Sequence, residues 1–327
     1  MRNSNTSISI FGFNRPIHLE NTLSTLSNLN VKNEKIFIFV DGPRNSEDIP
    51  YVEETLIVAE KYKQKFEAID NEVEIVNSKK NIGLAKSIIR GINHVFENTN
   101  SQRIIVLEDD CRPSKEFLTY MNNAFDYYEE YNKFSDQKVM HISGFGLPLN
   151  YYLKNNTHEL NYLNSYPCSW GWGTWKEFWI ECKFNDSKYY EEILNNNHLK
   201  NQFNNDGSAF SEFLDLYRQG KVNSWLIQWY AYIFKNSGLC SWKILSSIDN
   251  SGFDGTGNHK VKFDRFNQTE KYIETLNKKM KGQPLRFTNE FYNIEIQKEF
   301  KRYFISSKDK IKINILSYFL MKKLRRY

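Results

Sequence analysis

Glu108, Asp109 and Asp110 follow directly on the apolar run Ile104–Leu107. A short run of β-branched and apolar residues is the pattern of a strand buried on both faces of a parallel sheet. The acids then fall at its C-terminal edge, where open α/β sheets bind ligands. Three adjacent carboxylates repel one another unless a cation offsets them. Their oxygens suit Mg²⁺ or Mn²⁺, ions that keep few protein carboxylates and complete their shell with water and phosphate. A solvated acidic turn would have the same composition, so the flanking elements decide between the two.

Those elements repeat. Ser7–Phe13 has the pattern of a strand, followed by Asn14-Arg15-Pro16 and a helix whose buried face carries Leu19, Leu23 and Leu26. Lys35–Val40 is a second strand ending in Asp41-Gly42-Pro43, with a helix over 51–68 behind it. Val73–Val76 is a third, running into Asn81-Ile82-Gly83-Leu84 and a helix with Ile88, Ile92, Val95 and Phe96 on one side. After the acids, Ser114 can cap a helix carrying Phe117, Met121, Phe125 and Tyr128. Strand and helix alternating four times predict an α/β fold, a doubly wound and mostly parallel sheet flanked by helices. The four polar clusters would then meet along one sheet edge, wide enough for a nucleotide.

Beyond residue 140 the pattern changes. Val139–Ser143 predicts another strand and 155–163 a polar loop. Trp170, Trp172, Trp175 and Trp179 then crowd into ten residues. They suit either an aromatic wall against a sugar or base, with Trp170 and Trp172 on the acceptor side, or the core of a second subdomain. Helical patterns return over 208–218 and 225–236, and Ile244–Ile248 predicts a last strand. We expect a nucleotide-binding half over 1–140, an acceptor-side half of the same domain over 141–262 and a helical basic extension over 263–327.

Composition narrows the function. The 327 residues carry a net charge of +5, but 301–327 hold nine Lys/Arg against the single acid Asp309. The tail is therefore +8 and the remainder −3, which argues against a nucleic-acid-binding body. Ile311, Ile315 and Phe319 share a helical face in that tail, which suits contact with an anionic membrane surface or docking on protein. Cys111, Cys168, Cys182 and Cys240 form no CxxC or zinc spacing, and no signal-peptide pattern opens the chain. Reduced thiols and a cytoplasmic site, in part at the inner membrane face, are the expectation.

The order FNRP, VDG, NIGLAKS, VLEDD resembles the nucleotide-sugar domain of GT-A glycosyltransferases. It is most similar to bacterial sugar transferases related in fold to N-acetylglucosaminyltransferase I. Ser169–Trp175 and Gly252–His259 resemble the bacterial group as well. The resemblance implies that Asp41 accepts the N3–H of a uracil-like base and that Asn14 and Arg15 lie by the nucleotide and its diphosphate. Asn81, Gly83, Lys86 and Ser87 would pass beneath ribose and phosphates. Glu108 and Asp109 would line the donor site, and Asp110 and His259 would hold Mn²⁺ or Mg²⁺.

The expected activity is metal-dependent transfer of a sugar, from UDP by this likeness, to a hydroxyl on a glycan or lipid-linked acceptor. An inverting enzyme of this kind needs a carboxylate to take the acceptor's proton. Ser224–Trp229 has no acid where the likeness would put one, so either the base comes from elsewhere or the reaction is retaining and needs none of this kind. Asp206, in a turn-like segment that opens a helix, is the candidate base, and a helix cap is its alternative role. Two other activities fit in part. A nucleotidyltransferase would need a glycine-rich basic loop, and Ser7–Pro16 offers only Gly12 and Arg15. A carbohydrate-binding module would use the tryptophans without chemistry.

Overall fold

The computed structural model describes residues 5–29, 31–205, 210–255, 266–290 and 293–304. In chain order the first elements are β1 (Thr6–Gly12), α1 (Pro16–Ser27), β2 (Lys35–Val40), α2 (Ile49–Glu67), β3 (Glu72–Asn77), α3 (Leu84–Asn98) and β4 (Arg103–Glu108). They are followed by β5 (Cys111–Pro113), α4 (Phe117–Phe134) and β6 (Val139–Ser143). The remaining strands are β7 (Asn161–Asn164), β8 (Trp172–Trp175), β9 (Leu239–Lys243) and β10 (Ile248–Asn250). Eight of them form one sheet in the order β3-β2-β1-β4-β8-β6-β9-β7, and β5 pairs with β10 in a separate ribbon. Within the sheet β8 and β7 run against the rest, so it is the mostly parallel α/β sheet expected.

Adjacent residues of β1 show why helices cover both faces. A Cβ on Gly12 would face Leu19 of α1 and Thr55 of α2, whereas the ring of Phe11 lies against Gly91 of α3. Side chains alternate across a strand, so α1 and α2 cover one face and α3 the other. Phe11 stacks on Phe39 at 4.8 Å beneath Gly91, where a Cβ would collide with the Phe11 ring. The sheet edges are protected differently. Exposed Glu72 and Glu74 mark β3, and β7 is covered by the C-terminal stretch, with Gln297 donating to the Leu163 carbonyl. Charged and covered edges both discourage pairing with other chains.

The structure departs from expectation in three places. The predicted loop 155–163 ends in strand β7, whose polar Asn161 is buried and satisfied by Tyr128, Ser241 and the Thr288 amide. The predicted strand 244–248 is instead a turn between β9 and β10, bent where Ser246 and Ser247 hydrogen-bond locally. Ser114 does not cap α4; its hydroxyl donates to Glu116, and Glu116 is the N-cap residue. The tail beyond Phe304 lies outside the described residues. The four cysteines are buried and none is in a disulfide, and among the described residues no helix is long and apolar enough to cross a membrane.

Candidate functional site

Parallel pairing of β1 with β4 sets Phe11 opposite Glu108 and so brings the chain after β1 to the acids. Pro16 takes the first turn of α1, where its missing N–H costs nothing, and leaves Arg15 as N-cap. From there the Arg15 guanidinium reaches both aspartates. Its Nε donates to Asp109 Oδ2 at 3.2 Å, and its Nη2 donates to Asp109 Oδ1 and, at 2.8 Å, to Asp110 Oδ2. Thr22 of α1 donates to the Asp109 carbonyl at 2.7 Å, which ties the helix to the acid turn.

The β5–β10 ribbon supplies the other wall. Pairing of Asn250 with Cys111 carries the turn 251–254 back over Asp110, whose carbonyl accepts from the Ser251 amide at 2.9 Å. Gly252 packs so tightly that a Cβ there would lie 2.3 Å from Asp110 Oδ2. Asp254 closes the turn by meeting His18 of α1, Nε2 to Oδ2 at 3.1 Å. The motifs had not singled out His18 or Asp254. His18 lies three positions after Arg15, a spacing that places two residues on one helix face; that spacing was the available signal.

Among the described residues Glu108, Asp109 and Asp110 face one close guanidinium, that of Arg15, so charge at this corner is out of balance. Burial, with the repulsion of Asp110 and Asp109 added, pushes Glu108 well above the usual carboxylate range. Its carboxylate has no hydrogen-bond partner among the described residues. Burial likewise pushes Asp109 up to about 6, although Arg15 opposes the rise. For Arg15, burial acts to lower the pKa, and the two aspartates more than offset it. Such a corner attracts a further cation.

A second cluster lies one strand along from β1, about 10 Å from β4 by strand spacing. Asp41 is buried, and its carboxylate accepts from Gly42, Ile82 and Gly83 amides and from Asn81 Nδ2. Asn81 also donates to the Gly42 carbonyl at 3.0 Å. These bonds lock the loop after β2 to the one opening α3. Gly83 sits there at φ 80°, a conformation L side chains rarely adopt. Lys86 is exposed on the first turn of α3 and Ser87 is buried beside it. Asn14 is apart from both clusters, donating to Asp48, which Arg44 also holds.

The tryptophans separate. Trp172 is completely buried, stacked between Trp225 at 4.7 Å and His141 at 5.1 Å. Its expected acceptor-side role is therefore corrected: as the first residue of β8 it points into the core, where no acceptor reaches it. Trp170 is partly buried and packs edge-on against Phe253 at 5.6 Å, beneath the turn that covers Asp110. Asp206 and His259 lie outside the described residues. Hollows of about 270 Å³ near Tyr151 and Gln297 and about 330 Å³ near Pro148 and Thr275 are lined by none of the acid-cluster residues.

No protein-family model matches the chain, and no curated protein matches it. Among solved structures it is similar to S. aureus TarS, at 14% identity and a TM-score of 0.30 over 38% of this chain. That overlap spans 20% of the TarS chain. It is also similar to the mannosyltransferase PcManGT of Pyrobaculum calidifontis, solved with GDP-Man and Mn²⁺, at 10% identity and a TM-score of 0.41. There the overlap covers 71% of this chain and 70% of the other. A third is 4-diphosphocytidyl-2C-methyl-D-erythritol synthase of Anaerococcus prevotii, at 14% identity, a TM-score of 0.32 and coverage of 59% and 79%. Two of these three are glycosyltransferases and the third is a nucleotidyltransferase; likeness at this level assigns no donor, acceptor or metal to this chain.

Proposed function

We propose that this chain is a metal-dependent glycosyltransferase that moves a sugar from a nucleoside diphosphate, UDP on the sequence resemblance, to a hydroxyl of a glycan or lipid-linked acceptor. One observation carries this reading: Arg15, Asp109 and Asp110 converge at the C-terminal edge of β1 and β4, where the acids outnumber the cation. The donor set there is all oxygen, which suits Mg²⁺ or Mn²⁺. Among the described residues no three His, Cys, Asp or Glu side chains form a ligand cage. Mg²⁺ and Mn²⁺ do not require one, because phosphate and water oxygens fill their remaining positions.

Asp110 is the residue to hold the ion, with His259 proposed from the sequence as a second ligand. Bound there, the ion would neutralise charge on the departing diphosphate. Arg15, at the positive end of α1, would hold phosphate oxygens in place. Glu108 and Asp109 set the local charge. Asp41 organises the loop of Asn81 and Gly83 beneath the nucleoside, and Lys86 and Ser87 open the helix behind it. Asn14 supports the same edge through Asp48. Residues 1–140 form the donor half on this reading and 141–262 the acceptor half, with Trp170 on its wall. Asp206 is proposed as the base that takes the acceptor's proton. The basic stretch 301–327 would bring the enzyme to an anionic membrane surface, each basic residue there adding ~1 kcal/mol.

A melting-temperature screen of UDP-, GDP- and CDP-sugars, each with and without Mn²⁺, tests the reading, since a ligand bound only by the folded chain raises stability. A shift confined to one nucleotide with Mn²⁺, together with diphosphate release on incubation, is expected. No shift with any of them would dismiss it.

A further inference from the structure

We infer that Arg15 is a charge gate on Asp110: in the ligand-free chain it occupies the cation's place, and an arriving diphosphate draws it off to admit the metal ion. The inference rests on the glycosyltransferase reading and deepens it, because it couples the two ligands of that site through one side chain.

The geometry around Asp110 Oδ2 supplies the reason. One side of this oxygen is taken by Arg15 Nη2 at 2.8 Å. Another is closed by the backbone of Gly252, where an added Cβ would lie 2.3 Å away. The second carboxylate oxygen is directed at the Cys111 thiol, 3.6 Å off. A divalent cation binds a carboxylate oxygen at about 2.0–2.2 Å and brings two positive charges. With Gly252 on its other side, Oδ2 offers the ion no open approach while Arg15 holds it, so the guanidinium must leave first.

A guanidinium gives up one carboxylate readily for a better anion. Its planar fork matches two phosphate oxygens as well as it matches a carboxylate, and a diphosphate carries more charge than either aspartate. Arg15 sits at the N-cap of α1, so a phosphate that engages it also meets the helix's unpaired amides. Its side chain is 20% exposed against 13% for Asp110, so the cation is the more accessible member of the pair. Once the arginine has turned, the acid pair regains its excess of negative charge and the metal enters. Linkage makes this reciprocal: whatever factor the diphosphate adds to metal affinity, the metal adds to diphosphate affinity.

The test is titration with Mn²⁺ alone, followed by calorimetry or by the loss of the free-ion electron-spin signal. Wild type, Arg15→Gln and Arg15→Lys are compared. Arg15→Gln should bind Mn²⁺ about tenfold tighter than wild type or better, within the usual range of coupling factors. Arg15→Lys, which keeps a charge but lacks the fork, should fall between them. Equal Mn²⁺ affinity in all three would overturn the gate. Should Arg15→Gln fail to fold, Arg15→Lys decides, and a lysine variant indistinguishable from wild type overturns the proposal. A parallel melting series with UDP, Mn²⁺ and both separates the gate from its premise. If wild type gains no more from both ligands than from each alone, the diphosphate-and-metal reading falls and the gate with it. If it does gain, equal Mn²⁺ affinities sink the gate alone.

Discussion

The backbone of Gly252 is packed onto the carboxylate of Asp110, leaving 2.3 Å between Oδ2 and the position a Cβ would occupy. Two stretches 142 residues apart therefore share one surface, and a methyl group between them has nowhere to go except against the acid. Gly252→Ala should rotate Asp110 away from Arg15 while leaving the core untouched. The expected outcome is near-normal melting of the free protein and loss of most of the extra stabilisation by UDP with Mn²⁺. An undiminished ligand shift would show that Asp110 lies outside the binding site.

Asp41 and the loop Asn81–Gly83 give a prediction that separates holding a loop from reading a base. Each hydrogen bond to an ionised carboxylate contributes about 1.5–3 kcal/mol, and Asp41 accepts from three backbone amides and from Asn81. Asp41→Asn keeps the shape but turns an amide NH₂, a donor, toward some of those donors. It should lower the melting temperature and weaken protection by UDP, with CDP and GDP still giving none. Loss of protection by UDP, with melting unchanged, would instead assign Asp41 to the base.

The acid corner also predicts a pH dependence whose sign can be worked out. Asp109 is pushed up to about 6 in the folded chain, against about 4 when unfolded. Between those values the folded chain holds a proton that the unfolded chain has lost. Asp109 thus adds stability below about pH 4, and the contribution disappears as pH rises through 6. His141 acts oppositely: burial pushes it down to about 3, so its contribution is present above about 6.5 and lost as pH falls. The raw melting curve mixes these with Glu108, which burial also pushes up, and the informative quantity is the difference between Asp109→Asn and wild type. The variant should gain on wild type as pH rises from 4.5 to 7.5, by at most about 3 kcal/mol, since the folded and unfolded values lie about two pH units apart. A difference that does not change with pH would mean that Asp109 titrates as an ordinary surface acid.

Among the first four strands, β2 and β4 were legible as apolar runs, and β1 and β3 as apolar residues alternating with Ser or Glu. β4 and its acids are the plainest case. β7 was not legible, since Asn-Tyr-Leu-Asn has the composition of a loop; it becomes a strand because it pairs with β9 and because Tyr128, Ser241 and the Thr288 amide satisfy Asn161. The clustering of Arg15 with Asp110 needed the register of β1 on β4, which no local pattern encodes. The partnership of His18 with Asp254 needed the β5–β10 ribbon as well. Site residues joined across the sheet are therefore the part of this site that spacing along the chain leaves open.

Trp170 and Trp172 provide the last prediction, since two residues of sequence separate a wall from a core. Trp172 fills space between Trp225 and His141, and its indole N–H finds no hydrogen-bond partner among the described residues. Trp172→Ala should cost about 3–5 kcal/mol, the usual loss for a large buried ring. Trp172→Phe should cost clearly less, because it keeps a ring and removes a buried donor whose burial itself costs about 1–3 kcal/mol. Neither should change the acceptor's KM for the fraction that remains folded. Trp170 packs on Phe253 with part of its surface exposed. Trp170→Ala should lower stability less than Trp172→Ala, yet weaken transfer through the turn that covers Asp110. Transfer assays on glycan acceptors, normalised to folded protein, check the pair. If Trp172→Phe raises the acceptor's KM and Trp170→Ala does not, the wall and the core have been assigned the wrong way round.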